Sequence, residues 1–191
     1  KTNVVLGGDG GDEVFFGYLS FKAFYVTCFI KKIFPNFILR MIKIPFRNIK
    51  ITTEYLGVKK KIKYFFKFLN KELYMMNNYW ISNFDNKDVA QYFKKKVYKS
   101  SFHIKKVKTL FNKNPNKMRF AQLFYIKYFL PMILMKVDYS SMLNSVESRS
   151  PYLAKDLLNF SLNISTKKNF SLFKDRKLMN DIFSDYIKNY K

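Results

Sequence analysis

Val4-Val5-Leu6-Gly7-Gly8-Asp9-Gly10-Gly11-Asp12-Glu13-Val14-Phe15 passes from a continuous apolar run, through four glycines interleaved with carboxylates, into a segment with helical spacing. Asn3 to Leu6 reads as a short buried strand, because unbroken β-branched and aliphatic residues halted by glycine suit a strand covered on both faces. A glycine loop that follows a strand and precedes a helix faces the usual ligand crevice of an open sheet, where a bare backbone can approach a phosphate closely. Asp9, Asp12 and Glu13 would repel a bare phosphate. They suit one if Mg²⁺ lies between, since that ion takes one or two carboxylates and completes its octahedron with water and phosphate oxygens. The competing reading is local: Asp9 and Asp12 cap the helix and the glycines make a tight turn. The spacing excludes a Walker A loop, which ends in Gly-Lys-Ser or Gly-Lys-Thr, and a dinucleotide loop, whose acidic residue comes about 20 positions later.

Outward from this stretch the chain is mainly helical. Apolar and aromatic residues dominate from Val14 to about Arg47, with Pro35 and Pro45 as breaks. Ile51 to Leu69 carries Tyr55, Leu56, Val58, Ile62, Phe65, Phe66 and Leu69 at helical spacing, with lysines on the solvated face. Trp80 and Phe84 anchor the middle, a short amphipathic helix is expected over Asp85 to Phe93, and Asn112 to Lys117 is a loop by composition. Met118 to Lys136 is a long apolar segment in which Pro131 stops or kinks a helix. Asp156 to Ile164 and Arg176 to Tyr190 read as two closing amphipathic helices.

Between them lies a second charged segment, Lys136-Val137-Asp138-Tyr139-Ser140-Ser141-Met142, followed by Glu147-Ser148-Arg149-Ser150-Pro151-Tyr152-Leu153. Lys136 and Asp138 can pair with Glu147 and Arg149 across a turn. A guanidinium held by a carboxylate presents its remaining donors to an anionic ligand; the alternative is an ion-pair network that only fixes packing.

Composition bounds the rest. The 191 residues are 48% hydrophobic and 19% aromatic, which excludes a disordered tail and leaves room for a core. Against 36 Lys and Arg stand 13 Asp and Glu, a net charge of +23. Such charge suits a nucleic acid or an anionic surface, but Lys, Asn, Phe, Ile and Tyr are the residues of AT-rich codons, so the excess has a compositional source as well. The single cysteine, Cys28, lies in an apolar run and reads as a buried hydrophobe. It excludes an intramolecular disulfide and fits a reducing, cytoplasmic setting. His103 reads as structural or solvated. Ala23 to Ile44 is broken by Lys31, Lys32, Arg40, Lys43 and Pro35, so no membrane span is expected there. The opening has no secretory pattern, and Lys1 in place of Met suggests that further chain precedes it.

Taken together the two segments resemble the synthetase domain of the glutamine-dependent asparagine synthetases. That family's loop, Leu-Ser-Gly-(Asp/Glu)-Gly-(Gly/Ser)-Asp-Glu-(Leu/Val)-Phe-Gly-Gly-Tyr, corresponds to Leu6 through Tyr18. Its later signature corresponds to Phe129, Leu130, Pro131, then Lys136, Val137, Asp138, Ser141 and Met142, then Glu147, Arg149, Pro151 and Leu153. The resemblance implies an α/β, predominantly helical chain: the C-terminal portion of an adenine-nucleotide α-hydrolase (PP-loop, Rossmann-like) domain, partial over 1–191. It implies ATP and Mg²⁺ as cofactors, aspartate and glutamine-derived ammonia as substrates, and β-aspartyl-AMP as the intermediate. Residue by residue, it implies that Gly7, Gly8, Gly10 and Gly11 border ATP and substrate and that Asp12 ligates Mg²⁺. Asp9 lies near the amino acid or its adenylate, Glu147 and Arg149 shape the cleft, and Lys136 and Asp138 support it. A late cation that stabilises charge in both half-reactions falls among Lys174, Arg176 and Lys177, with the spacing closest at Arg176.

The departures are specific. No Ser-Gly-Gly-x-Asp-Ser pyrophosphate loop and no glutaminase domain occurs in the 191 residues. Phe16 replaces a glycine, Gly7 a serine, Tyr125 a commonly acidic residue, and Ala154 an aspartate. The chain alone is therefore expected to be inactive unless the missing half is supplied by upstream residues or a separate polypeptide. A non-catalytic family member, an enzyme amidating another carboxylate, and a basic nucleic-acid-binding module are the alternatives.

Overall fold

A computed structural model describes residues 3–46, 57–82, 90–91 and 101–188. In chain order the elements are β1 (Val4–Leu6), α1 (Gly11–Phe15), α2 (Leu19–Ile33), α3 (Asn36–Ile42), α4 (Val58–Phe68), a 3₁₀ turn (Leu73–Met75), α5 (Met76–Ser82) and α6 (Ser101–Lys113). There follow α7 (Lys117–Phe124), a π-helical turn (Tyr125–Phe129), α8 (Leu130–Met142), β2 (Glu147–Arg149), a second 3₁₀ turn (Pro151–Leu153), α9 (Lys155–Asn163), α10 (Thr166–Asn169) and α11 (Lys177–Lys188). Helices thus predominate beside a small parallel sheet, an α/β chain. They form two compact units, Lys1–Lys22 with Met118–Lys191, and Ala23–Lys117.

In the first unit β1 and β2 run parallel, with Val4 opposite Glu147, Val5 opposite Ser148 and Leu6 opposite Arg149. The strand expected at Asn3–Leu6 is present, but it is not buried: Leu6 is 77% exposed, and Val4 and Val5 about half that. Its one paired strand among the described residues is polar. That polar strand, Glu-Ser-Arg, has neither an apolar run nor alternation, so nothing local marks it as β. The unit's core is aromatic. Phe15, Phe16, Phe21, Phe120 and Phe124 are buried, the Phe21 and Tyr125 ring centroids lie 4.6 Å apart, and the Tyr125 hydroxyl donates to Ser20 Oγ at 2.6 Å. Each such ring contributes about 1.5–3 kcal/mol by leaving water.

Pro131 does not end its helix. The turn before it widens, and the Leu130 N–H donates to the carbonyl of Tyr125, five residues back, so the ladder changes register where Pro131 offers no donor. One polar side chain then holds the end of α9. Arg119 donates to the carbonyls of Ser161 (3.0 Å) and Ile164 (2.6 Å) at the end of α9, where the last helical carbonyls need donors.

The second unit packs Phe24, Leu39, Phe68, Leu69, Met76 and Val107, with the Phe68 and Tyr79 rings stacked at 5.0 Å. Trp80 anchors it as expected, against Phe24 and Phe65. Pro35 separates α2 from α3. The apolar face expected along α4 closes at its C-terminal end, whereas Val58 and Ile62 stay 70% and 38% exposed. His103 Nε2 lies 3.2 Å from Asn78 Oδ1, a structural contact, and burial pushes the Cys28 thiol up to about 12, so it stays protonated. The loop expected over Asn112–Lys117 shortens to 114–116. Residues 51–56, Phe84 and most of the helix expected at Asp85–Phe93 lie outside the described residues. Two stretches, Gly11–Ile33 and Lys117–Met142, have the length and apolarity of a membrane span, each with mean hydropathy 1.3. They carry the buried Phe15, Phe21, Phe24, Phe120 and Phe124.

Candidate active site

The glycine loop continues the strand ladder by one bond and then turns. The Gly7 N–H donates to the Arg149 carbonyl at 2.8 Å, and the Gly11 N–H closes back on the Gly8 carbonyl at 3.3 Å. Gly10 has φ 86, and a Cβ there would lie 2.4 Å from Leu153 Cδ2, so both backbone conformation and space require glycine. Gly10 is itself the N-cap of α1 and no side chain caps it; the capping role open to Asp9 and Asp12 is filled by neither. Phe16 occupies the left-handed region at φ 57, the conformation glycine adopts freely. The departure at this position therefore keeps the backbone path and adds a buried ring, packed on Phe21 and Phe170 at 4.9 and 5.6 Å.

The carbonyl end of α1 is fixed by two buried amides. Gln122 Nε2 and Asn169 Nδ2 both donate to the Val14 carbonyl, at 2.7 and 3.1 Å. Glu13, also buried, accepts from the Tyr18 hydroxyl at 2.7 Å. Burial pushes the Glu13 carboxyl above the usual carboxylate range, against the lowering effect of the Tyr18 bond. Burial and the Glu13 bond push the Tyr18 phenol upward in turn.

Parallel pairing brings the second segment to the loop. The Ser150 hydroxyl donates to the Asp9 carbonyl, and the Asp9 carboxylate folds back over Gly7, where an added Cβ would meet Asp9 Oδ2 at 3.0 Å and Ser148 Oγ at 3.1 Å. A groove of about 520 Å³ opens here, lined by Asp9, Leu134, Met135, Val137, Asp138, Ser148, Ser150 and Leu153. Asp9 and Asp138, 129 positions apart, thus face one space. Lys136 is exposed on α8 and does not line it. Glu147 and Arg149 pair with each other at 2.8 Å on the exposed face of β2, in place of the cross-turn pairs with Lys136 and Asp138. Each stabilises the other's charge, lowering the Glu147 carboxyl and raising the Arg149 guanidinium.

Asp12 faces a different neighbour. Arg176 Nε donates to its Oδ1 at 2.5 Å, and this bond holds the guanidinium charged. Of the three candidates for the late cation, Arg176 is the one at the glycine loop. Lys174 pairs with Asp181 at 3.2 Å, and Lys177 Nζ reaches the Lys167 carbonyl at 3.5 Å. Ser148, Ser150 and Leu134 belong to the groove although the sequence did not single them out, and Leu153, a residue of the later signature, lines it as well. The signal for Ser148 is the period of two within β2, which sets it apart from Glu147 and Arg149; the others need the strand pairing. Among the described residues no three His, Cys, Asp or Glu side chains cluster as a metal cage. Asp12 offers the single carboxylate with which Mg²⁺ can be held when phosphates supply its other oxygens, and its Oδ1 accepts from the Arg176 guanidinium.

A carboxylate-bearing glycine loop at the carboxyl end of a parallel strand, opening on a groove beside the next strand, is the crevice arrangement of open α/β ligand-binding proteins. The family model for asparagine synthase matches residues 1–189, and the chain belongs to the asparagine synthase family, which carries out ATP-dependent amidation. Aspartate and glutamine or ammonia are the substrates of that family in general. No curated protein and no solved structure matches the chain.

Proposed function

We propose that this chain is the C-terminal part of a PP-loop, Rossmann-like synthetase domain that amidates aspartate to asparagine in the cytoplasm, with ATP and Mg²⁺. The observation that carries this reading is the groove in which Asp9, from the glycine loop, meets Asp138 and Ser148 from the later motif. Two carboxylates with a hydroxyl beside them suit the ammonium group of an amino acid, and the apolar wall of Leu134, Val137 and Leu153 excludes water from one side. The bare backbone of Gly8 has open space beside it for a phosphate, whereas Gly7 is backed by Asp9 and Ser148, Gly10 by Leu153 and Gly11 by Tyr152. A side-chain carboxylate oxygen of aspartate attacks the α-phosphorus of ATP and pyrophosphate leaves. Ammonia then attacks the carbonyl carbon of β-aspartyl-AMP, the C–O bond to AMP breaks, and a proton is lost from nitrogen. Asp12 would hold Mg²⁺, which supplies charge neutralisation at the phosphates. Arg176 supplies cationic charge at the loop from the approach to α11, whereas Glu147, Arg149 and Lys136, expected to shape and support the cleft, do not line the groove, and Lys177 reaches the Lys167 carbonyl instead.

The exposed apolar residues of β1 support a further layer packed on it, because parallel sheets are ordinarily covered on both faces. That layer and the Ser-Gly-Gly-x-Asp-Ser loop would come from residues outside these 191. The test is aspartate-dependent ATP–pyrophosphate exchange by the chain combined with a polypeptide carrying that loop. Asp9→Asn is expected to lower exchange by about 10²-fold, the size of one lost electrostatic contact in an active site. Exchange supported by another carboxylate, and not by aspartate, reassigns the substrate; no exchange with any carboxylate leaves a non-catalytic family member.

A further inference from the structure

The corner that leads into α11 is pinned to the glycine-loop side of its unit by charge. Lys22 Nζ pairs with Asp175 Oδ1 at 2.7 Å, its side chain only 16% exposed. The next residue, Arg176, donates to Asp12 Oδ1 at 2.5 Å. Arg176 has φ 44, a left-handed conformation that a non-glycine residue keeps only where its surroundings impose it. Asn180 imposes part of it, since its side chain donates to the Asp175 carbonyl at 2.7 Å and its backbone N–H to the Arg176 carbonyl at 3.0 Å. Gly17 supplies the space. A Cβ there would lie 1.9 Å from Asp12 Oδ1 and 2.9 Å from Arg176 Nε, so the ion pair rests on bare backbone. The guanidinium is therefore placed by tertiary structure, not by a freely sampling side chain.

We propose that Arg176 is a resident and displaceable cation on Asp12, and that the guanidinium and a divalent metal ion compete for this carboxylate. The inference rests on the reading of Asp12 as a metal ligand and adds the group that regulates its loading. Asp12 is the one loop carboxylate suited to the exchange. Asp9 lies over Gly7 and lines the groove, and Glu13 is buried and accepts from Tyr18. Asp12 carries one negative charge, which Arg176 neutralises, so a second cation at Oδ1 meets a neutral pair and a neighbouring positive charge. The side chains of Asp12 and Arg176 are 28% and 55% exposed. A partly solvated pair of this kind shifts an equilibrium by about fivefold at most. It weakens metal binding without abolishing it.

Mn²⁺ titration of the whole chain at low ionic strength, followed by calorimetry or the electron paramagnetic resonance of the ion, tests this directly. Arg176→Gln is expected to bind Mn²⁺ about two- to fivefold more tightly than the unaltered chain, Arg176→Lys less so, and Asp12→Asn to lose this site in either background. Lys155→Gln, which removes one exposed charge at the start of α9, controls for the general fall in net charge and is expected to leave the affinity unchanged. Added NaCl narrows the gap between the chain and Arg176→Gln as the pair is screened. An unchanged or weaker affinity in Arg176→Gln, a matching rise in Lys155→Gln, or no Mn²⁺ binding by any variant overturns the proposal. The exchange assay stands apart: competition at Asp12 without aspartate-dependent exchange keeps this inference and removes the proposed reaction, and exchange without competition does the reverse.

Discussion

In the unit formed by the two chain ends, polar groups far apart in sequence hold the glycine loop: Gln122 and Asn169 on the Val14 carbonyl, Ser150 on the Asp9 carbonyl and Arg176 on Asp12. In Ala23–Lys117 the close contacts are mainly ring on ring, Phe68 on Tyr79 and Phe65 on Trp80, with Lys31 donating to the Lys71 carbonyl at 2.6 Å. Ring packing tolerates substitution of shape for shape, whereas a hydrogen-bonded carbonyl fixes an atom in a direction. The unit that must place a carboxylate and a bare backbone beside each other adds the second means to an aromatic core of its own.

The contrast can be broken, starting with its cores. Phe21→Ala and Phe68→Ala each remove a fully buried ring and are expected to cost about 3–5 kcal/mol. Amide exchange after Phe68→Ala should rise chiefly in 57–82, and equal exposure of 118–188 would show that the units do not unfold separately. Phe16→Gly comes next. It removes a comparable ring but relieves a left-handed non-glycine backbone, worth about 1–3 kcal/mol, so denaturant melts should show a smaller loss than Phe21→Ala. Gln122→Leu keeps the volume and takes away a donor to the Val14 carbonyl, for an expected loss of about 1–3 kcal/mol, together with faster exchange at the loop.

Glu13 sharpens the comparison by pH. Its folded pKa is raised above the ordinary 4.5 by burial, so the protonated form is favoured in the folded state. The stability it contributes is full below pH 4.5 and is lost as pH rises through the folded value. Glu13→Gln keeps an acceptor for Tyr18 and should flatten this part of the stability profile in pH-dependent melts. The smallest effect is expected at Arg149→Gln. Arg149 and Glu147 are both exposed, and the thermal midpoint should not move measurably.

Much of the site unit was legible from local pattern. Val4–Leu6 followed by glycine marks a strand, and the helix expected at Asp156–Ile164 and the start of the one expected at Arg176 fall within a residue of their places, while Tyr190 lies outside the described residues. The strand at Glu147–Arg149 was not legible, because three polar residues acquire β structure only from their partner. The burial expected for β1 also failed, since an apolar run reports what a strand prefers to contact and not what stands beside it. The charged residues of the second motif misled for a related reason: Glu147 and Arg149, two apart on one strand face, reach each other before either reaches α8.

The amino-acid sequence by itself determined the strand, the glycine loop, the family to which the chain belongs and the short list of carboxylates that matter. These are matters of residue type and near-neighbour spacing, which act over a few positions. Tertiary structure alone decided that Asp9 turns to the groove with Asp138 and that Asp12 turns to Arg176. Those partners lie 129 and 164 positions away along the chain. No periodicity spans such distances; packing closes them, and so decides which charge each carboxylate meets.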